Sequence, residues 1–149
     1  VSRGYATRRR QIVDGLVVVL KAIDKSGQFN TDIGDEVHPT LKFWDEVDVF
    51  PTIHISAGSE SREYLGGGVK IRYLSVTVRV YVQGDQPDLL LDELLEDIET
   101  VLEDNSQLSY TTKLGVTAKA QQITVVSIDT DEGVLEPLGI GEMLLEVRY

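Results

Sequence analysis

The chain has 149 residues, 42% of them hydrophobic, no cysteine, and a formal charge of −11. That length supports a single domain over residues 1–149, with about 70% of the unfolded chain's surface buried on folding. The missing cysteines exclude disulfides, thiolate zinc sites and a cysteine nucleophile, and no apolar run approaches the roughly 18 residues of a membrane span.

Charge is unevenly placed. Residues 1–25 hold six basic groups against Asp14 and Asp24, a surplus of +4 that leaves −15 for the rest. A negative field over most of the surface opposes adhesion to nucleic acid. The start VSRGYATRRR is followed by no signal-peptide apolar core. Arg8, Arg9 and Arg10 read either as a solvated helix start or as a patch that docks on an acidic neighbour.

From about Thr7 to Lys25, Ile12, Leu16, Val19 or Leu20 and Ile23 recur at helical spacing. SGQFN then stops the helix, and residues 26–36 look irregular. Leu41 and Phe43 alternate with Lys42, predicting a short strand that ends near Trp44, with Pro39 marking an edge. TIHISAG predicts a strand with Ile53, Ile55 and Ala57 on one face and Thr52, His54 and Ser56 on the other. GSESREYLGGG, Gly58 to Gly68, reads as a polar, glycine-rich loop.

VKIRYLSVTVRVYV is the strongest strand. Its apolar residues sit at odd positions up to Tyr73 and at even positions from Leu74, a switch that demands a bulge or two covered faces. A strand of about 14 residues spans roughly 46 Å, so one end should project and pair with another chain. From Asp85 to Asp104 there are nine acids and no base, around an apolar stripe of Leu91, Leu94, Leu95, Ile98, Val101 and Leu102. This predicts an amphipathic helix with an anionic outer face, capped by Asp85 or Gln86 with Pro87 in its first turn.

LSYTT is a short strand, and KLGVTAKA suggests a hairpin about Gly115. QQITVVSID and GEMLLEVRY form a final pair joined by DTDEGVLEPLG, with Met143, Leu145, Val147 and Tyr149 on one face. The fold class is α+β: a mainly antiparallel β-sheet flanked by two main helices.

Motifs for chemistry fail on spacing. His38 and His54 lack further ligands, and His54 reads as a partly exposed sheet residue. No GxSxG elbow occurs, and LGGG precedes a strand without the Lys-Ser/Thr of a phosphate loop. Asp129, Asp131 and Glu132 imitate the start of a calcium loop, but Val134 and Ile140 stand where Gly and Glu are required. No catalytic residue, metal or cofactor is expected.

The order of elements, with FPTIHISAGSE and TDEGVLEPLGIGEMLLEVRY, resembles the tail terminator proteins of long-tailed bacteriophages. The similarity is sharpest at Phe50-Pro51, at Gly58 with Glu60, and at Thr130 to Tyr149, and it lapses from Leu108 to Ala120. The resemblance implies a virion structural protein, made in the host cytoplasm and placed in the tail at the neck. Such proteins form a ring, typically of six subunits, on the completed tail tube. They end tube polymerisation and offer a surface to the head connector's stopper protein, and DNA passes through the lumen without specific binding. No membrane is involved.

The interface candidates are Arg8, Arg9, Arg10, Trp44, Glu60, Tyr64, Leu65, Asp131, Glu132, Leu135 and Leu138. Trp44 and Tyr64 are the aromatic anchors among them, with a core position as the other reading of Trp44. Acids at Asp92 to Asp104 and Glu60 to Glu63 are candidates for the lumen, and the Gly58 to Gly68 loop is expected to order on the tube. Other readings stay open at this point: a different head–tail joining or tail completion ring, or an acidic-site metal-dependent hydrolase.

Overall fold

The computed structural model describes residues 7–24, 29–33, 36–112 and 115–149. Helix α1 (Arg8–Leu20) is followed by β1 (Val37–His38), β2 (Thr52–Tyr64), β3 (Lys70–Gln83) and helix α2 (Pro87–Asp104). Short strands β4 (Ser109–Thr111) and β5 (Thr117–Lys119) precede the closing pair β6 (Gln122–Thr130) and β7 (Leu138–Arg148). Five strands form one sheet in the order β1-β2-β3-β7-β6, and β4 pairs with β5 beside it. Among the described residues only β1 on β2 is parallel, so the expected α+β class with a mainly antiparallel sheet is what the chain adopts.

Side-chain alternation decides which face of the sheet is covered. Leu74, Val76, Val78, Val80 and Val82 of β3 share a buried face with Met143, Leu145 and Val147 of β7 and with Ile53 and Ile55 of β2. Onto that face α2 lays the predicted stripe from Leu91 to Leu102, and α1 adds Ile12, Val13, Leu16 and Leu20. Each of these aliphatic side chains contributes about 1.5–3 kcal/mol through burial. Among the described residues neither α1 nor α2 lies on the other face, where the segment after β1 meets His54 and Tyr81 instead.

Two glycines set how closely α2 approaches. A Cβ on Gly139 would stand 2.9 Å from Val82 Cγ2 and 3.1 Å from Leu91 Cδ1, and one on Gly141 would stand 3.0 Å from Val80 Cγ2. The bare backbone of the GIG stretch is the seat for Leu91.

The switch of phase in β3 is accommodated by its partner. Register with β7 runs unbroken from Tyr73 opposite Arg148 to Gln83 opposite Leu138. The irregularity lies in β2, where Ala57 to Glu60 spans three steps against two from Val76 to Leu74. Ile71 and Tyr73 accordingly lie on the face opposite Leu74.

Four expectations need correction. Residues 58–64 are not loop but the second half of β2, because pairing with β3 past the bulge satisfies their backbone; only the turn at Gly66–Gly68 interrupts the hairpin. No strand forms at Leu41 to Trp44, where the chain instead makes a short 3-10 turn at Trp44–Glu46. Helix α1 stops at Leu20, with Lys21 as its C-cap, and the expected end at Lys25 lies outside the described residues. His54 is buried, 2% exposed, because the segment from Pro39 to Pro51 folds over it.

Candidate assembly surfaces

At one end of the sheet the β2–β3 hairpin runs past its neighbours: Arg72 pairs with Tyr149, and beyond that only β2 and β3 continue. Its end exposes Tyr64 at 70%, Val69 and Leu65. The base of the hairpin is fastened by Glu60, whose side chain is 6% exposed and accepts hydrogen bonds from Arg62 Nε, at 2.8 Å, and from the Tyr149 hydroxyl. Burial pushes that carboxyl up, but the hydrogen bonds from Tyr149 and Arg62, with the nearby cations Arg62 and Arg9, hold it below the ordinary glutamate value. The same contact, after burial, drives the Tyr149 hydroxyl up to about 12. Arg72 lies over the Tyr149 ring at 5.4 Å, and Tyr110 meets its edge.

The three arginines of α1 divide between two tasks. Arg9 donates to the Gly58 carbonyl at the bulge, and Arg10 donates to Pro39 at 3.2 Å while standing 3.6 Å from Asp14. Thr7 caps the helix by accepting from the Arg10 amide. Two members of the expected patch thus tie α1 to the sheet edge and to the segment after β1, while Arg8 is exposed.

The opposite end of the sheet is built from two segments. Between Pro39 and Pro51 a ledge of Leu41, Phe43, Trp44 and Val49 faces outward, with Phe43 71% and Trp44 50% exposed. The core reading of Trp44 is therefore wrong. The ledge is pinned beneath by the Tyr81 hydroxyl, which donates to the Lys42 carbonyl, and by His54. His54 Nδ1 lies 2.9 Å from the Thr40 carbonyl, which can only accept, so Nδ1 carries the proton. The ring stacks on His38 and meets the edge of Tyr81. Burial lowers the affinity of His54 for a second proton, and the cations Lys42 and Arg79 add to that against the hydrogen bond to Thr40.

Asp131 to Pro137 forms the second segment, the turn between β6 and β7. Asp131 accepts from the Leu135 amide at 3.3 Å, Glu132 and Gly133 take positive φ of 54° and 83°, and Val134 is 81% exposed. Leu135 and Leu138 are half-buried. The candidates thus separate: Glu60, Tyr64 and Leu65 gather at the hairpin end, with Arg9 at its base, and Trp44, Asp131, Glu132, Leu135 and Leu138 at the other.

Several features escaped the sequence reading. Asp97, counted with the anionic outer face of α2, points inward and is 1% exposed, accepting from the Asn30 and Thr31 amides and the Thr31 hydroxyl at 2.6–2.9 Å. Its position within the apolar stripe was the available signal. Glu60 is likewise no free lumen acid. Between α2 and the edge strand β6 lies a groove of about 580 Å³, lined by Glu99, Leu102, Glu103 and Gln122 to Val125.

Among the described residues no group of three or more His, Asp or Glu side chains is placed to hold a metal. Exposed aromatic and aliphatic residues rimmed by charge, at both ends of one sheet, are the chain's candidate contact surfaces. Comparison with known proteins agrees. The family model for the Bacteriophage Tail Tube Terminator Protein matches residues 6–149. Tail tube terminator protein p142 of Escherichia phage T5 is 33% identical over 127 residues, covering 81% of this chain and 78% of that protein. The chain belongs to the bacteriophage tail tube terminator family, and it is a structural component of the phage tail.

Proposed function

We propose that the chain caps the completed tail tube as a ring of six copies at the neck of the virion, one end of each subunit meeting the tube and the other the head connector's stopper protein. The observation that carries this reading is the separation of two exposed apolar surfaces, the hairpin end with Tyr64 and the ledge with Phe43 and Trp44, to opposite ends of one sheet. A cap that must stop one polymer and receive another needs two unlike ends. Family membership supplies the tube as one partner. Six copies carry a charge of roughly −66, and acids such as Asp92 and Glu96 on the exposed side of α2 would let DNA slide through the lumen without sticking.

Adding the purified protein to tubes growing in vitro tests the capping step. Tubes should stop lengthening at one copy of the ring per tube end, and negative-stain images should show the ring there. Tubes that grow on at an unchanged rate with saturating protein would contradict the proposal.

A further inference from the structure

The two edges of the five-stranded sheet are finished differently. On the β2 side, β1 pairs with Ile53 and His54, and Arg9 takes up the Gly58 carbonyl. On the β6 side no strand among the described residues pairs with the outer edge. From Gln122 to Ile128 that edge carries no charged residue and no proline, and Val126 is 55% exposed. Edge strands are ordinarily blunted by such residues, and an edge without them is a template for an added strand. The bulge of β6 lies at Val126, past the four residues, Gln122 to Val125, that line the α2–β6 groove. Glu99 and Glu103 line it from α2, Leu102 and Ile123 supply apolar surface, and no cation among the described residues lines it. The groove suits an extended segment that brings backbone hydrogen bonds and positive charge.

This chain holds such a segment ahead of α1. VSRGYATR contains Arg3 and Arg8, and no acid precedes Asp14. Laid out as a strand, it puts Val1, Arg3 and Tyr5 on one side. Its junction with α1 is placed: Thr7 is extended, at φ −71° and ψ 159°, and lies beside Ser56 and Ala57. Ala57 pairs with Val76, Val76 with Leu145, and Leu145 with Val125, so the segment leaves the β2 flank level with the groove on the β6 flank. The groove of its own chain is too far away to be lined by it. From β2 to a strand added outside β6 is four strand spacings, about 19 Å in a straight line, and residues 1–6 span at most about 20 Å. A neighbouring copy set flank to flank brings the two together, and such a heterologous contact can close by rotation. We infer that in the ring residues 1–6 of one copy add a strand to β6 of the next, inside its α2–β6 groove, with Arg3 against Glu99 and Glu103. This rests on the ring proposed above.

Deuterium exchange on free protein and on protein assembled on tail tubes tests the contact. In wild-type rings the backbone amides of Gln122 to Val125 should exchange about tenfold more slowly than in the free protein. Deleting residues 1–6 should remove that protection and raise the concentration for half-assembly about tenfold. Arg3→Glu and Glu103→Lys should each weaken assembly to a similar degree, and the two together should restore it. Circular dichroism checks that each variant is folded. Wild-type rings whose Gln122 to Val125 amides exchange as in the free protein would overturn the contact and leave the ring standing. So would a deletion that leaves assembly and protection unchanged. Wild-type protein that stays monomeric even with tubes would remove the ring and the contact with it.

Discussion

Asp97 shows how much one side chain can hold. Its carboxylate is the common acceptor for backbone and hydroxyl donors of Asn30 and Thr31, and through them the segment after α1 is fastened to α2. Asp97→Ala leaves the buried Thr31 amide and hydroxyl without their acceptor, and should cost about 2–4 kcal/mol in urea unfolding. His54 is the other residue with wide reach. Its folded form binds a second proton less readily than the ordinary histidine value of 6.5, so its contribution is present above that pH and is lost as pH falls below it. Because Trp44 is the sole tryptophan and sits on the ledge that His54 pins, its fluorescence should shift as pH is lowered below the ordinary histidine value of 6.5. His54→Asn should remove most of that step.

Two elements depend on small sequence features. The hairpin stands on the Glu60–Tyr149 contact. Glu60 stabilises above the ordinary glutamate value of 4.5 and loses its effect as pH falls through its lower folded value. Tyr149 contributes below its ordinary 10 and loses its effect as pH rises toward about 12. Tyr149→Phe should cost about 1.5–3 kcal/mol at pH 7 and flatten the acid limb of stability against pH, read by urea unfolding at pH 7 and in steps below pH 4.5. The seat of α2 on β7 is the second case: Gly139→Val should destabilise by about 1–3 kcal/mol, since Val82 and Leu91 must move aside. Periodicity made α2, β3 and β7 legible in advance, because long elements bury one face. Sequence alone hid what depended on partners: the strand from Gly58 to Tyr64 is polar, and only pairing with Lys70 to Leu74 makes it extended. Asp97 and His54 look like surface groups until Thr31 and Thr40 are brought to them. Of the candidate site, Tyr64 and Trp44 were readable as exposed aromatics, whereas the groove at Glu99 and Gln122 joins residues far apart in sequence.

For the whole molecule, the sheet is covered by helices on one face and finished at its two ends by unlike surfaces. The hairpin end is narrow and carries the exposed ring of Tyr64; the other end is a broad ledge and a stiffened turn. A subunit whose two ends complement each other extends a tube, whereas one whose outer end does not complement the next tube subunit terminates it. Tail length in particles made without this protein tests that claim most directly. Electron micrographs should show tails of uncontrolled, excessive length lacking heads; tails of normal length that merely fail to join heads would contradict termination and assign the chain to a joining step.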